Sequence, residues 1–85
     1  MPETVAIPSP ERKPAWRAAA LAYRAARAAG HGDHQAHLAA RAAVLQVIPR
    51  LTMAEASAEA VSAVAFATTY HTQWFWSVVR NKTGE

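Results

Sequence analysis

The chain has 85 residues, of which 52% are hydrophobic and 8% aromatic, with 22 alanines, no cysteine and a formal charge of +3. The lack of thiols excludes a disulfide-stapled scaffold, a thiolate zinc finger and a cysteine nucleophile. The apolar fraction and modest charge argue against wholesale disorder, and the length suits one domain or part of one.

Alanine is the strongest helix former, so a chain this rich in it is expected to be all-α. Alanine is also small. A core lined with it gains only a fraction of the ~1.5–3 kcal/mol that each buried Leu or Phe contributes. A single core in a chain of this length supplies only about 3–5 kcal/mol net. The folded chain is therefore expected to lean on a second copy of itself or on a larger protein.

Residues 1–14, MPETVAIPSPERKP, read as an extended, proline-rich arm. Pro2, Pro8, Pro10 and Pro14 withhold backbone donors and bias each preceding residue away from the α region. The first fifteen residues lack the apolar run of a secretory leader. No uninterrupted apolar stretch reaches the ~18 residues of a spanning helix, and the expected location is the cytoplasm.

A single helical domain is expected over 15–80, followed by a tail at 81–85. Its first helix is expected over 15–29. Either Ser9–Pro10 or Pro14 sets its start, and Gly30 supplies a left-handed stop. At 100° per residue, Trp16, Ala19, Ala20, Tyr23 and Ala26 share one side with Gly30. Ala18, Ala22, Ala25 and Ala29 form a second smooth stripe. The second helix, expected over 34–47, follows the turn His31-Gly32-Asp33, with Asp33 as its N-cap. It stops before Pro49. Its apolar face holds His37, Ala40, Val44, Val47 and Ile48, flanked by Leu38 and Leu45, and Arg41 falls inside that face.

The third helix is expected over 53–79. Thr52 and Glu55 form a capping box at its start. Its main stripe is Met53, Ala56, Ala60, Ala63, Val64, Ala67, His71, Trp74, Phe75 and Val78. Glu55, Glu59 and Ser62 form a polar back to its first half. In its second half Phe66, Tyr70 and Trp76 point away from the main stripe. A short helical hairpin made by the first two helices covers only part of so long a helix, and the aromatic end is left over.

Three surfaces are candidates for function. Trp16, Tyr23, Phe66, Tyr70, Trp74, Phe75 and Trp76 are the candidate protein interface, because Trp and Tyr are enriched in interface hot spots. Arg12, Lys13, Arg17, Arg24, Arg27 and Arg41 are a candidate phosphate track for nucleic acid. His31, His34 and His37 have the spacing H-x-x-H-x-x-H, and with His71 they are a candidate metal site. The other reading of His71 is a buried neutral imidazole within the apolar stripe. Peripheral membrane contact by the aromatic end, next to Arg80 and Lys82, is the weakest alternative, because Ser62, Thr68, Thr69, Thr72, Gln73 and Ser77 interrupt the segment.

Catalysis has little support. The acidic residues are few, and no phosphate-binding glycine motif or cofactor motif occurs. The expected function is that of a small non-catalytic helical interaction protein. It would be an accessory or structural subunit packing alanine-rich faces and an aromatic end against copies of itself, as a homo-oligomer, or against a larger protein.

Overall fold

Three helices follow one another in the structure, a computed structural model that describes residues 8–71. They are α1 (Lys13–Ala28), α2 (Asp33–Val47) and α3 (Met53–Tyr70), and no strand occurs among the described residues. The all-α class expected from composition and the three helices expected from the pattern of caps and breakers are both present.

Each boundary has a local cause. The amides of Arg12 and Lys13 donate to the Ser9 carbonyl at 2.9 and 3.0 Å, which closes a turn ahead of α1. Pro14 lies in the first turn of α1, where its missing N–H costs nothing. The helix begins at Lys13, one residue ahead of Pro14, and residues 10–12 form a turn, so the extended arm expected up to Pro14 does not reach that far. The other end of α1 is a Schellman motif. Gly30 takes φ +99°, its amide donates to the Arg27 carbonyl, and the His31 amide donates to the Ala26 carbonyl, both at 3.0 Å. A side chain at Gly30 would be strained by that φ.

Asp33 is not the N-cap of α2. Gly32 holds the cap position in extended geometry, and Asp33 is the first helical residue. Its carboxylate is engaged by α1 instead. At α3 the capping box forms as expected. Thr52 Oγ1 accepts from the Glu55 amide at 3.1 Å, and Glu55 Oε1 accepts from the Thr52 amide at 2.9 Å. His71 leaves helical geometry at φ −132°, ψ 44°, while its amide still donates to the Ala67 carbonyl. The continuation of this helix expected over 72–79, with Trp74, Phe75 and Trp76, lies outside the described residues, as does the arm before Pro8.

The core lies where the three helices meet. Among the described residues nine of the fourteen buried hydrophobic ones are alanines, joined by Trp16, Tyr23, Val44, Ile48 and Val64. Val44 is the largest side chain with no appreciable exposure. Small side chains let the backbones approach closely, and little apolar area is removed from water per residue.

The inward faces differ from expectation in three places. On α2 the buried row is Ala36, Ala40 and Val44, continued by Ile48, and Val47 is 41% exposed. The i, i+4 row faces inward, and Val47 falls on its shoulder. On α3 Met53, the first helical residue, is 58% exposed. His71, expected within the buried stripe, is exposed because the helix ends just before it. The second alanine stripe of α1 stays at the surface, with Ala25 and Ala29 exposed and Ala18 and Ala22 half-buried.

Candidate protein-docking groove

Trp16 organises the contact between α1 and α3. Its indole Nε1–H donates to Glu59 Oε1 at 2.7 Å, and Arg12 Nη1 lies 3.1 Å from Glu59 Oε2. One carboxylate thus holds an indole and a guanidinium from adjacent turns of the chain. Charge assistance makes such bonds stronger than neutral ones. The ring of Trp16 meets Phe66 edge-on at 5.9 Å, and Phe66 in turn lies 4.9 Å from Tyr70 and 5.8 Å from His71. Edge-on contacts of this kind suit the quadrupole of aromatic rings.

Beside this ring ladder, α1 and α3 line an open groove of about 700 Å³. Trp16, Ala20 and Leu21 form one wall, and Ala63, Phe66 and Ala67 form the other. Pro8 and His71 also line it. Its charged lining residues among those described are Lys13 and Arg17, both exposed. The surface is therefore an apolar floor with a cationic rim. Leu21, on its wall, is 43% exposed, and Tyr70 nearby is 54% exposed.

The candidate interface residues are divided by the structure. Trp16 and Tyr23, expected to face a partner, are taken into the chain's own core at 7% and 3% exposure, because the alanine-rich helices offer few other large side chains to fill it. Phe66 is half-buried and Tyr70 exposed. Trp74, Phe75 and Trp76 lie outside the described residues. Leu21, Ala63 and Glu59 were not singled out as site residues by pattern. Leu21 sits on the flank of the α1 wheel, and Glu59 reads as an ordinary solvated acid until its partner Trp16 is placed.

Tyr23 instead anchors a polar lock between α1 and α2. Its hydroxyl donates to Asp33 Oδ1 at 2.5 Å, and Arg27 Nη1 donates to the same hydroxyl at 3.2 Å. His37 Nδ1 lies 3.3 Å from Asp33 Oδ2, and its ring meets that of Tyr23 edge-on at 4.9 Å. The hydrogen bond from Tyr23 holds the Asp33 carboxyl below its ordinary value of 3.8, helped by the neighbouring His37 and Arg27. Burial raises the Tyr23 phenol above its ordinary value of 10.0, and the bond to Asp33 adds to the rise.

The sign of the linkage follows. A depressed carboxyl contributes stability above its unfolded pKa, and that stability is lost as pH falls through the folded value. A raised phenol contributes stability below its unfolded pKa, and that is lost in strong alkali. Tyr23→Phe is expected to lower the melting temperature by a few degrees at pH 7. The difference from the parent chain is expected to shrink at pH 3, where Asp33 is increasingly protonated. Thermal melts followed by circular dichroism at the two pH values check both.

The candidate phosphate track is partly engaged within the chain. Lys13 and Arg17 are exposed, and Arg12, Arg24, Arg27 and Arg41 are half-buried. Arg12 pairs with Glu59, and Arg27 bonds to Tyr23. The candidate metal ligands are not brought together. His37 belongs to the lock, and His31 and His34 are exposed at the start of α2. Among the described residues no three His, Asp or Glu side chains converge as a metal site, and none of the described helices is long and apolar enough to cross a membrane. Comparison with protein-family models, with curated proteins and with solved structures gave no match.

Proposed function

We propose that this chain is a small non-catalytic interaction subunit that docks an apolar segment of a protein in the groove between α1 and α3. The observation that carries the reading is the groove itself, with exposed Leu21 on an apolar wall and a cationic rim at Lys13 and Arg17. A recess of this volume lies within the usual range for ligand-holding clefts. Phe66, half-buried on its wall, is a ring of the kind enriched at interfaces. The thin alanine core is the second support. A chain that buries so little of its own apolar surface gains stability from any partner that binds only the folded form.

The partner is a second copy or a larger protein, and one experiment treats both. The chain is purified from its native host with and without Leu21→Glu, which places a charge on the groove wall without disturbing the buried core. A stoichiometric partner, or a micromolar self-association seen by sedimentation, is expected with the parent chain and is expected to be lost in the variant. A strictly monomeric chain with the same co-purifying proteins in both preparations would reject the reading.

A further inference from the structure

From the charges at the edge of the groove we infer that its occupant is an acidic amphipathic helix of a different protein. The apolar side of that helix meets Leu21 and Phe66, and its carboxylates meet Lys13 and Arg17. The inference rests on the docking reading of the groove and names the chemistry of the partner. Three features of the molecule support it.

The first is unspent charge. α1 carries Lys13, Arg17, Arg24 and Arg27 and no acidic residue. Lys13 and Arg17 line the groove and are exposed, and among the described residues neither has an ion-pair partner. Arg27 by contrast bonds to Tyr23, and Arg12, just ahead of the helix, pairs with Glu59. Two cations one turn apart beside an apolar wall suit the carboxylates of a helix. A nucleic-acid backbone takes a longer track of phosphate contacts.

The second is register. Lys13, Arg17 and Leu21 follow one another at four-residue intervals, so they stand on one row of α1. From Lys13 to Leu21 the row rises about 12 Å. A helix laid along the groove matches that row with two carboxylates one turn apart and an apolar residue one turn further on. Ala20, Ala63 and Ala67 are buried and form a closed floor. The apolar contact is therefore made by Leu21, which is 43% exposed, and by half-buried Phe66.

The third is the state of the chain's own acids. Four carboxylates lie among the described residues, and each is engaged within the chain. Glu11 pairs with Arg50, Asp33 accepts from Tyr23, Glu55 closes the capping box, and Glu59 holds Trp16 and Arg12. A second copy docking by these residues has to break one of those bonds to offer a carboxylate to Lys13 or Arg17. An acidic segment of another protein meets them without that loss.

The test uses the full chain and a displayed library of amphipathic helices, with leucine fixed on one side and Glu, Gln or Lys allowed elsewhere. Helices with glutamates four residues apart beside the leucine face are expected to be enriched. Lys13→Glu combined with Arg17→Glu is expected to weaken the best of them about tenfold, the size expected for two exposed ion pairs. Panning on that double variant is expected to select lysines instead. Both positions are exposed, and a circular dichroism melt matching the parent's checks that the variant is folded. No enriched helix, enriched helices without a preference for glutamate, or the same glutamates selected by the double variant would each overturn the inference. So would a duplex DNA oligonucleotide or a phosphatidylserine vesicle that binds more tightly than the best helix, or self-association that Leu21→Glu abolishes. If the glutamate preference is absent while Leu21→Glu still loses the bound helices, the docking function stands and the acidic partner falls. Glutamate helices that bind Leu21→Glu as tightly as the parent chain would overturn both.

Discussion

Trp16→Ala is expected to abolish cooperative folding of the chain. The indole is 7% exposed, and among the described residues it is the largest side chain in a core whose other members are mostly alanine. Removing a buried Trp from an ordinary core costs about 3–5 kcal/mol through lost transfer energy and the cavity left behind. The whole net stability of a chain this size is of the same order. The loss is compounded on α3. Glu59 forfeits the indole donor at 2.7 Å and keeps only Arg12, and Phe66 forfeits its edge-on neighbour. Urea titration at pH 7 by far-ultraviolet circular dichroism is expected to show a broad, shallow transition without a native baseline. Trp16→Phe keeps most of the ring volume and loses the bond to Glu59. It is expected to fold, with a loss of about 1–2 kcal/mol. A Trp16→Ala chain that unfolds as sharply as the parent would place the stabilising core elsewhere.

The helices were legible because their punctuation is local. Pro14, Gly30, Pro49 and the Thr52–Glu55 pair act through their own backbones and near neighbours, and each marks a boundary that the structure shows. The faces were legible only where a large side chain marks them. On α1, Trp16 and Tyr23 identify the buried side. On α2, alanine occurs on every side, and periodicity does not separate Ala36, which is buried, from Ala42, which is exposed. The polar contacts were not legible for a different reason. Tyr23 and Asp33 are ten residues apart and meet only because the Gly30 turn folds α2 back on α1. Asp33 in sequence has every mark of an N-cap, and the tertiary bond to Tyr23 draws its carboxylate away from that role. Trp16 and Glu59 are 43 residues apart, and only the assembled bundle reveals their pairing. The groove follows from the same geometry. Its walls come from α1 and α3, which are distant in sequence, and Leu21 on one of them holds only a peripheral position on the helical wheel.

Ala40→Leu is expected to be the most damaging enlargement of the core. Ala40 has no solvent exposure and lies in the middle of the inward row of α2, between Ala36 and Val44. Its methyl group is fully enclosed within the buried cluster. Three added carbons must find room among packed neighbours. They must push α2 away from its neighbours or force strained rotamers, which costs about 1–3 kcal/mol in cores that can relax. A core built on small residues relaxes poorly, because moving one helix outward opens every other alanine contact along it. The upper part of that range is therefore expected, as a lower urea midpoint. Ala42→Leu, two positions along the same helix on its exposed side, controls for composition and helix propensity. It is expected to change stability by less than about 0.5 kcal/mol. Equal effects from the two substitutions would mean that α2 does not present the Ala40 row to the core. The alanine packing that explains the thin core would then be wrong.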